Sequence, residues 1–449
     1  MSERTGLKTR FAYGLSDVAS NLSWGTVGSY LMVYYTDVAK IPAIMIGTMF
    51  LITRVWDAVN DPIMGLIIDK THSRWGKARP YFLWMCVPLA IVMVLTYSVP
   101  AGWSVTGKLI YVYITFTFLG MIYTAINIPV TAILPRLSAD LHDRTVLGTF
   151  RGFGALIGQV LVMAITLPLV AALGQGDTAK GYQLTMAVFG IMAVLFFLIT
   201  FFNVKEIDLE EKKSQKTSFM ESVKAIRGNL PWLITLLVGL LLQMSMAMRM
   251  AGMVYYCRYY LGNEGLIPLL GMLMMVMIFP LACLPAVSKK IGKRNTVITG
   301  SIIAIAGNLL IWLGGKTTPA VFITANVLVI AGMAFTLGLI FVLVADTVEY
   351  GEWKNGVRSE GFLSAASSLG QKLGTGFGGA LAAWVLGSAG YEANAVEQSR
   401  DVLNAMVFNF VGFPLLSFVL IIILMWFYRL DKTASQMMSE LAQRRALNS

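Results

Sequence analysis

One apolar run near the N-terminus carries acidic side chains at helical spacing. Asp57 and Asp61 are four residues apart, so a helix places both carboxylates on one face. Arg54 precedes Asp57 by three residues on nearly the same face, and Asn60 adds an amide oxygen. Charged groups in lipid are costly and mark ion or substrate pathways. Two carboxylates on one face repel each other, and a proton or a bound cation relieves that repulsion.

This cluster suits one of two ions. Carboxylate and amide oxygens are the ligands of hard cations such as Na⁺, whereas burial and like charge favour a protonated acid, which makes H⁺ the other candidate. The alternative is an ion pair between Arg54 and Asp57 that only locks helices together. We predict cation binding by Asp57, Asp61 and Asn60, with Asp57 and Asp61 as the ligands if the ion is Na⁺.

Polar side chains in other apolar runs have the chemistry of sugar recognition. Tyr123 and Asn127 can exchange hydrogen bonds with a polyol, and an aromatic face stacks on a sugar ring. Arg151 can form a two-pronged contact with neighbouring hydroxyls. Lys372 needs a wet cavity or a carboxylate. Each of these residues has an alternative, structural role. Asp17, a charge in the first apolar run, can be a hydrogen-bond partner in helix packing. Tyr123 and Asn127 can form hydrogen bonds between helices around a proline kink, and Arg151 can serve topology at the cytoplasmic edge.

The composition indicates that these side chains lie in a membrane. Of the 449 residues, 57% are hydrophobic and 13% are charged, and the mean hydropathy is +0.70. Soluble proteins have about 45–50% apolar and about 25% charged residues. Backbone groups in lipid must be satisfied internally, so long apolar runs predict helices. Twelve predicted transmembrane helices cover residues 11–36, 42–69, 80–100, 107–134, 150–173, 181–202, 231–260, 266–288, 295–314, 319–346, 360–388 and 404–429.

The distribution of basic residues predicts the orientation. Of the 35 Lys and Arg, 26 fall in segments that would be cytoplasmic if the N-terminus is, five in outside loops and four well inside spans, with Lys108, Arg151 and Arg429 at the ends of spans counted with the adjoining loops. This bias favours both termini on the cytoplasmic side of the membrane, and we expect that membrane to be the cell inner membrane. The net charge of +11 would suggest nucleic acid in a soluble protein. Here it reflects topology, and we expect lipid and no nucleic acid as partner, with the chain as a monomer.

A charged linker and a weak internal repeat predict two halves. Gly76-Lys77-Ala78-Arg79 follows the second run, and Gly292-Lys293-Arg294 follows the eighth, 216 residues later. Parallel six-helix repeats give such an offset. The predicted domains are a six-helix bundle over 1–202, a cytoplasmic linker over 203–230, a second six-helix bundle over 231–430 and a cytoplasmic tail over 431–449.

Loop charges after the second, fourth, eighth and tenth runs provide a gating hypothesis. Salt bridges among these loops would hold the cytoplasmic side closed. The residues predicted to take part are Arg79, Arg144, Glu352 and Arg358.

Catalytic and cofactor sites are not indicated. The three cysteines lie in apolar runs without metal-ligand spacing, and both histidines fall in polar loops. We therefore predict a transporter with no cofactor, and not an enzyme. One alternative is an exporter with the same arrangement of transmembrane helices, which would usually need a more apolar cavity. A transport-like sugar sensor is the other alternative, although the tail from Asp431 is short for an output domain.

Several motifs resemble the glycoside–pentoside–hexuronide:cation symporters, a family that includes the melibiose permease and has the major facilitator fold. The resemblance covers residues 13 to 428. Its motifs are Asp17, Tyr34-Tyr35-Thr36-Asp37, Arg54-x-x-Asp57-Ala58-x-x-Asp61-Pro62, Ser73-Arg74-Trp75-Gly76-Lys77-x-Arg79-Pro80 and Asp346-Thr347-Val348-Glu349-Tyr350-Gly351-Glu352-Trp353.

The resemblance implies uptake of a sugar or glycoside by symport with Na⁺, H⁺ or Li⁺ through alternating access. The family's cation site maps onto Asp57 and Asp61. Its sugar-binding residues map onto Asp17, Tyr123, Thr124, Arg151 and Lys372. The melibiose permease has an aspartate at the position of Asn127, and that residue serves both sugar and cation there, which makes Asn127 a candidate for both roles here. A tryptophan of the permease is replaced by Thr131, so the sugar pocket differs.

Overall fold

The computed structural model describes residues 5–138, 140–206, 228–314, 316, 318–356 and 360–447, and the regular structure in these ranges is helical, with no strand. The first six helices are α1 (Leu7–Thr26, continued by π-helical turns Val27–Leu31 and Tyr34–Val38), α2 (Ala43–Lys70), α3 (Pro80–Thr96), α4 (Val105–Ala132), α5 (Leu141–Gly174) and α6 (Thr178–Asn203). The remaining helices are α7 (Leu230–Tyr260), α8 (Leu266–Ile291), α9 (Lys293–Gly314), α10 (Pro319–Asn355), α11 (Glu360–Ser388), α12 (Arg400–Phe427) and α13 (Leu430–Leu447).

The helices α1 to α12 coincide with the twelve predicted spans and differ from them mainly at their ends. Helix α5 begins at Leu141 rather than residue 150, and α10 runs to Asn355 rather than residue 346. Both extensions are polar, and a helix continues beyond the apolar part that the sequence pattern detects. Helix α10 stops where Gly356 adopts a left-handed φ of 68°, a conformation that glycine accepts at a helix C-terminus.

The prediction of an all-α membrane protein is confirmed. Within the described ranges, nine helices are long and apolar enough to cross a membrane, and Pro80–Thr96 is a shorter apolar helix. Helices α1 and α11 are also long, but they contain many Gly and Ser residues, together with Asp17 in α1 and Lys372 in α11. Polar residues in spanning helices face the bundle interior or a water-filled cavity.

The chain divides into two compact units. The first contains residues 1–212, 250–275 and 380–406, and the second contains residues 213–249, 276–379 and 407–449. Helices α7, α8, α11 and α12 therefore contribute residues to both units. The predicted bundles over 1–202 and 231–430 stay a prediction. Most of the predicted linker, residues 207–227, lies outside the described residues.

Glycines bring α1 against α5 in the first unit. A Cβ atom on Gly154 would lie 2.0 Å from the carbonyl oxygen of Gly14, and one on Gly158 would lie 2.7 Å from the Cβ of Asn21. Small residues allow such close approach of membrane helices. The contact holds the α1 face that carries Asp17 next to the α5 face that carries Arg151.

A half-buried arginine joins four helices in the second unit. Arg249 of α7 donates to Asn308 Oδ1 at 3.4 Å and to the Phe410 carbonyl at 2.8 Å, and it also donates to Asn326 Oδ1. Its Cζ lies 4.0 Å from the centroid of the Phe410 ring. Arg249 therefore links α7 with α9, α10 and α12 through amide and carbonyl oxygens.

The tail helix α13 is bonded to other helices of the second unit at two positions. Asp431 Oδ2 accepts a hydrogen bond from the backbone N–H of Arg294 at 2.8 Å. Nine residues further along the helix, Glu440 accepts a hydrogen bond from Trp353 Nε1 at 2.7 Å. The predicted tail over 431–449 is thus an ordered helix through Leu447.

The α1–α5 contact predicts that Gly154→Ala destabilises the protein. The added methyl meets backbone on α1, and overpacking of this kind costs about 1–3 kcal/mol. We expect a lower melting temperature for the detergent-purified variant. The matched control is Gly152→Ala on the same helix, because a Cβ there meets nothing within 4 Å. Equal melting temperatures for the two variants would contradict the assigned contact.

Candidate cation and sugar site

An ion pair joins α1 and α5 in the first unit. Arg151 Nε lies 2.5 Å from Asp17 Oδ2, and the side chains are 22% and 11% exposed. Arg151 also donates to Thr131 Oγ1 of α4 at 3.0 Å. Arg151 lies ten residues into α5 rather than at its start. The arrangement leaves the pair partly accessible while its net charge is zero.

A second ion pair lies within α2. Arg54 donates through a terminal guanidinium nitrogen to Asp57 Oδ2 at 3.0 Å, and the two side chains are 16% and 15% exposed. The pair that the sequence offered as an alternative is therefore present. Arg54 also contacts an aromatic ring, since its Cζ lies 4.5 Å from the centroid of Trp24. Gly120 of α4 faces this pair, and a Cβ there would lie 2.9 Å from Asp57 Oδ1.

Asp61 and Thr124 join α2 to α4. The Thr124 hydroxyl donates to Asp61 Oδ1 at 3.1 Å, and Thr124 is buried. Two neighbouring amides are less engaged. Within the described part of the chain, neither Nδ2 of Asn60 nor Oδ1 of Asn127 has a hydrogen-bond partner, although both atoms are buried. The Asn127 oxygen can accept a hydrogen bond from a hydroxyl or coordinate a cation, whereas the Asn60 N–H group can only donate, for example to a sugar oxygen.

Trp24 is a contact residue that the sequence reasoning missed. Its ring stacks on Tyr123, with centroids 4.5 Å apart and an interplanar angle of 22°. Trp24 lies seven residues after Asp17, so helical periodicity places the two side chains on one face of α1. That spacing was the signal that could have identified it.

The predicted residues of the first unit come together, and Lys372 belongs to the second. The cluster is defined by Asp17, Trp24, Arg54, Asp57, Asn60, Asp61, Tyr123, Thr124, Asn127 and Arg151, and we call it the polar cluster. Lys372 is exposed on α11. The part of α11 before Lys372 borders a cleft of about 340 Å³. Its lining includes Ser364, Ser368 and Gln371 of α11 and Glu349 of α10.

Two of the predicted gating residues bind carbonyl oxygens within the first unit. Arg79 Nε donates to the Phe201 carbonyl at 2.7 Å. Arg144 Nε donates to the Ser138 carbonyl at 2.7 Å. Glu352 lies near the end of α10, and Arg358 lies outside the described residues. A gating role for the four stays a prediction.

Glu206 organises the loop before α3 and was not singled out from the sequence. Its carboxylate accepts backbone N–H bonds from Lys77 at 3.1 Å and from Ala78 and Arg79 at 2.8 Å. The start of a helix is an anion site because its first N–H groups have no partner in the helix. Only tertiary structure brings residue 206 to this loop.

A buried carboxylate ties together three segments of the first unit. Asp37, in the π-helical turn Tyr34–Val38 that ends α1, is 5% exposed. Its Oδ2 accepts hydrogen bonds from Arg258 and from the Tyr259 hydroxyl, both at 2.9 Å. Its Oδ1 accepts one from the Tyr391 hydroxyl at 2.6 Å, and its carbonyl oxygen accepts one from Asn394 at 3.0 Å.

The same cluster explains the charge near the end of α7. Arg258 lies two residues before the end of α7. In the structure it pairs with Asp37 at 2.9 Å and with Glu264 at 2.6 Å. Burial, and then the charge of Asp37, raises the pKa of the Tyr391 hydroxyl, so Tyr391 remains a hydrogen-bond donor.

The family is decided by a match over most of the chain. The model of the family described as "MFS/sugar transport protein" matches residues 12–432. The chain belongs to this family. It is therefore a multi-pass membrane transporter of the major facilitator type and not an enzyme, as the sequence predicted.

Curated relatives share most of the chain's length. The isoprimeverose transporter of Lactiplantibacillus pentosus is 39% identical over 440 residues, 97% of this chain and 91% of that protein. The putative glycoside/cation symporter YagG of Escherichia coli strain K12 is 31% identical over 447 residues, 98% of this chain and 96% of that protein. A putative 2,3-dihydroxypropane-1-sulfonate exporter of the same strain is 29% identical, covering 96% and 94%. The predicted class, a sugar or glycoside transporter coupled to a cation, is confirmed.

Solved structures show the same fold at low sequence identity. The xylose transporter XylE from E. coli is 16% identical with a TM-score of 0.62, covering 94% of this chain and 95% of that one. The nucleoside transporter NupG is 15% identical with a TM-score of 0.62, covering 94% and 100%. The predicted major facilitator fold is confirmed.

The Asp37 contacts predict that Asp37→Asn lowers the melting temperature of the purified protein. Breaking a buried ion pair costs roughly 3–5 kcal/mol, and we expect a smaller loss because Arg258 keeps Glu264. The control is Asp177→Asn, since Asp177 is the N-cap of α6 and Asn caps a helix equally well. The assignment fails if Asp37→Asn melts with the wild type.

Proposed function

We propose that the chain imports a neutral glycoside together with a proton, with the polar cluster as the site of both. The observation that carries the proposal is the convergence of α1, α2, α4 and α5 on two ion pairs and on two buried amide atoms that have no hydrogen-bond partner among the described residues. Helix packing alone does not require this many polar groups in one place. Ionisable residues in spans pair with each other and line solute and ion paths.

The cation site is assigned to Asp57 and Asp61, with Asn60 and Asn127 beside them. Both carboxylates face α4, since Gly120 approaches Asp57 and Thr124 donates to Asp61. An ion bound there reduces the repulsion between two acids on one helix face. This favours the state that binds the sugar, so ion and sugar increase each other's affinity reciprocally.

A proton is proposed over Na⁺. The melibiose permease has an aspartate where this chain has Asn127, so one carboxylate fewer faces the ion. Arg54 already offsets the charge of Asp57 through its 3.0 Å contact. A hard metal cation needs several oxygen ligands with negative charge, whereas a proton needs one acid. The loss of one charge therefore weakens a Na⁺ site more than a proton site.

The sugar site is assigned to Asp17, Tyr123, Thr124, Asn127 and Arg151. Asp17 and Arg151 form a neutral pair whose remaining oxygens and N–H groups suit hydroxyls. Because Arg151 is already bonded to a carboxylate at 2.5 Å, a neutral glycoside fits better than an acidic sugar. The relative named for isoprimeverose makes that neutral glycoside the first compound to test.

Lys372 is the proposed sugar-binding residue of the second half. The proposed transport step is alternating access. The proposed halves are residues 1–202 and 231–430, rocking about a solute held between them. Both termini are proposed to lie on the cytoplasmic side of the inner membrane, and the chain is proposed to act as a monomer in lipid. Loop charges at Arg79, Arg144, Glu352 and Arg358 are proposed to bias the inward and outward states.

The proposal is tested by uptake of labelled isoprimeverose into vesicles that contain the purified protein. One charge moving through 100 mV supplies about 2.3 kcal/mol, enough for roughly 50-fold accumulation. Accumulation driven by a pH gradient and indifferent to Na⁺ supports proton symport. Accumulation that requires a Na⁺ gradient contradicts the choice of ion, and outward movement with the gradient favours the exporter alternative.

Asp61→Asn is expected to abolish accumulation, because the neutral amide cannot take up a proton. Facilitated exchange of labelled for unlabelled isoprimeverose should persist, since that reaction needs no net ion movement. The control is Asp177→Asn, outside the polar cluster. Wild-type accumulation by Asp61→Asn would remove this residue from the cation site.

Asn127→Asp is expected to make uptake respond to Na⁺. The variant restores a carboxylate beside Asp57 and Asp61, which adds a charged oxygen ligand for a hard cation. We expect initial uptake rates to rise at least threefold on addition of Na⁺ at constant pH, where the wild type shows no change. No response to Na⁺ would separate Asn127 from the cation site.

A further inference from the structure

Trp24 contacts both parts of the polar cluster. Its ring lies 4.5 Å from the Cζ of Arg54, which is bonded to the candidate cation ligand Asp57. The same ring stacks on Tyr123, a candidate sugar ligand, with centroids 4.5 Å apart. The ion side and the sugar side of the cluster therefore meet on one indole.

These contacts differ in chemistry, which matters for coupling. The guanidinium is attracted to the negative face of the indole, and Trp is the strongest partner for such an interaction. The contact with Tyr123 depends on ring overlap and dispersion. A change in the position of Arg54 therefore changes the energy of the Trp24 orientation, and that orientation limits where the Tyr123 ring can lie.

Arg54 divides its interactions between Asp57 and Trp24. Its ion pair with Asp57 is 3.0 Å long and lies in a partly buried setting. A proton or cation on the Asp57 and Asp61 pair reduces the negative charge that Arg54 faces. The pull of Asp57 then falls relative to that of the indole face, because only the first depends on the charge of the carboxylates.

We propose that Trp24 is the positioning residue that transmits ion occupancy at Asp57 and Asp61 to the sugar-binding face of Tyr123. This rests on the proposed ion and sugar sites and specifies how they are coupled. When the ion binds, the contact of Arg54 with Trp24 becomes stronger relative to its contact with Asp57. Trp24 is then held against Tyr123, and Tyr123 is aligned for the sugar. Without the ion, Trp24 and Tyr123 are held less firmly.

A packing role alone predicts a different result. Trp24 also lies near Phe116, with ring centroids 6.4 Å apart, so replacing it can destabilise the protein. Lost packing lowers stability or sugar affinity under all conditions. A positioning role changes the ratio of sugar affinities measured with and without the ion, and that ratio is the quantity to measure.

The experiment compares Trp24→Leu, Trp24→Phe and the wild type by calorimetric titration with isoprimeverose at acidic and at alkaline pH. Coupling between two ligands is typically about 5–150-fold, and we expect a wild-type affinity ratio in this range. Trp24→Leu should bring the ratio to within twofold of one. Trp24→Phe keeps the stack with a weaker cation contact, so its ratio should be intermediate.

The matched control is Trp56→Leu. Trp56 lies on α2 beside Asp57 but is 43% exposed, so the same substitution is made away from the contact with Tyr123. Its ratio should equal that of the wild type. If Trp24→Leu cannot be purified as a folded protein, Trp24→Phe decides: a ratio reduced at least threefold supports the relay, and an unchanged ratio overturns it.

Other outcomes distinguish failure of the relay from failure of the proposed function. A wild-type ratio of one, with protons and also with Na⁺, refutes ion coupling and the relay with it. A coupled wild type with an equally coupled Trp24→Leu refutes the relay and leaves the symport intact. Loss of sugar binding by Trp24→Phe at both pH values makes Trp24 a direct sugar contact and also overturns the relay.

Discussion

The structure depends on the pairing of charges inside the membrane. A charge in lipid must be offset by an opposite charge or by dense hydrogen bonding. Arg54 pairs with Asp57, Arg151 with Asp17, and Arg258 with Asp37. These pairs fix which helix faces turn inward, because each residue would be far more costly if it faced lipid.

Close helix packing makes the pairing geometry possible. Gly154 lets α5 approach α1 to backbone contact, and Gly120 leaves room for Asp57 beside α4. A bulkier residue at either position would separate the partners. The glycines and the charges are therefore two parts of one requirement, since ion pairs in lipid are stable only when the helices that carry them lie close together.

The polar groups fall into two sets, which differ in how fully the protein itself provides their hydrogen-bond partners. Asp37 has hydrogen-bond donors from several segments, and Arg249 has acceptors from three other helices. Each is bound on several sides and suits a structural role. In the polar cluster, buried amide atoms of Asn60 and Asn127 lack partners within the described residues. A site that exchanges ions and sugar needs groups of this second kind. If all of its polar atoms were hydrogen-bonded to the protein, none would be available to bind the ligand.

The sequence by itself determined the helical membrane class, the order of the helices, the family motifs and most of the polar cluster. These features follow from local quantities: the length of apolar runs, the cost of charge in lipid, and the spacing of Asp57 and Asp61 on one helix face. Only the tertiary structure decided the partners of these groups. Asp17 with Arg151, Trp24 with Tyr123, and Glu206 with the loop before α3 are pairs of residues distant in sequence. Their contacts depend on how helices pack, and helix packing is set by many side chains at once rather than by spacing along one chain.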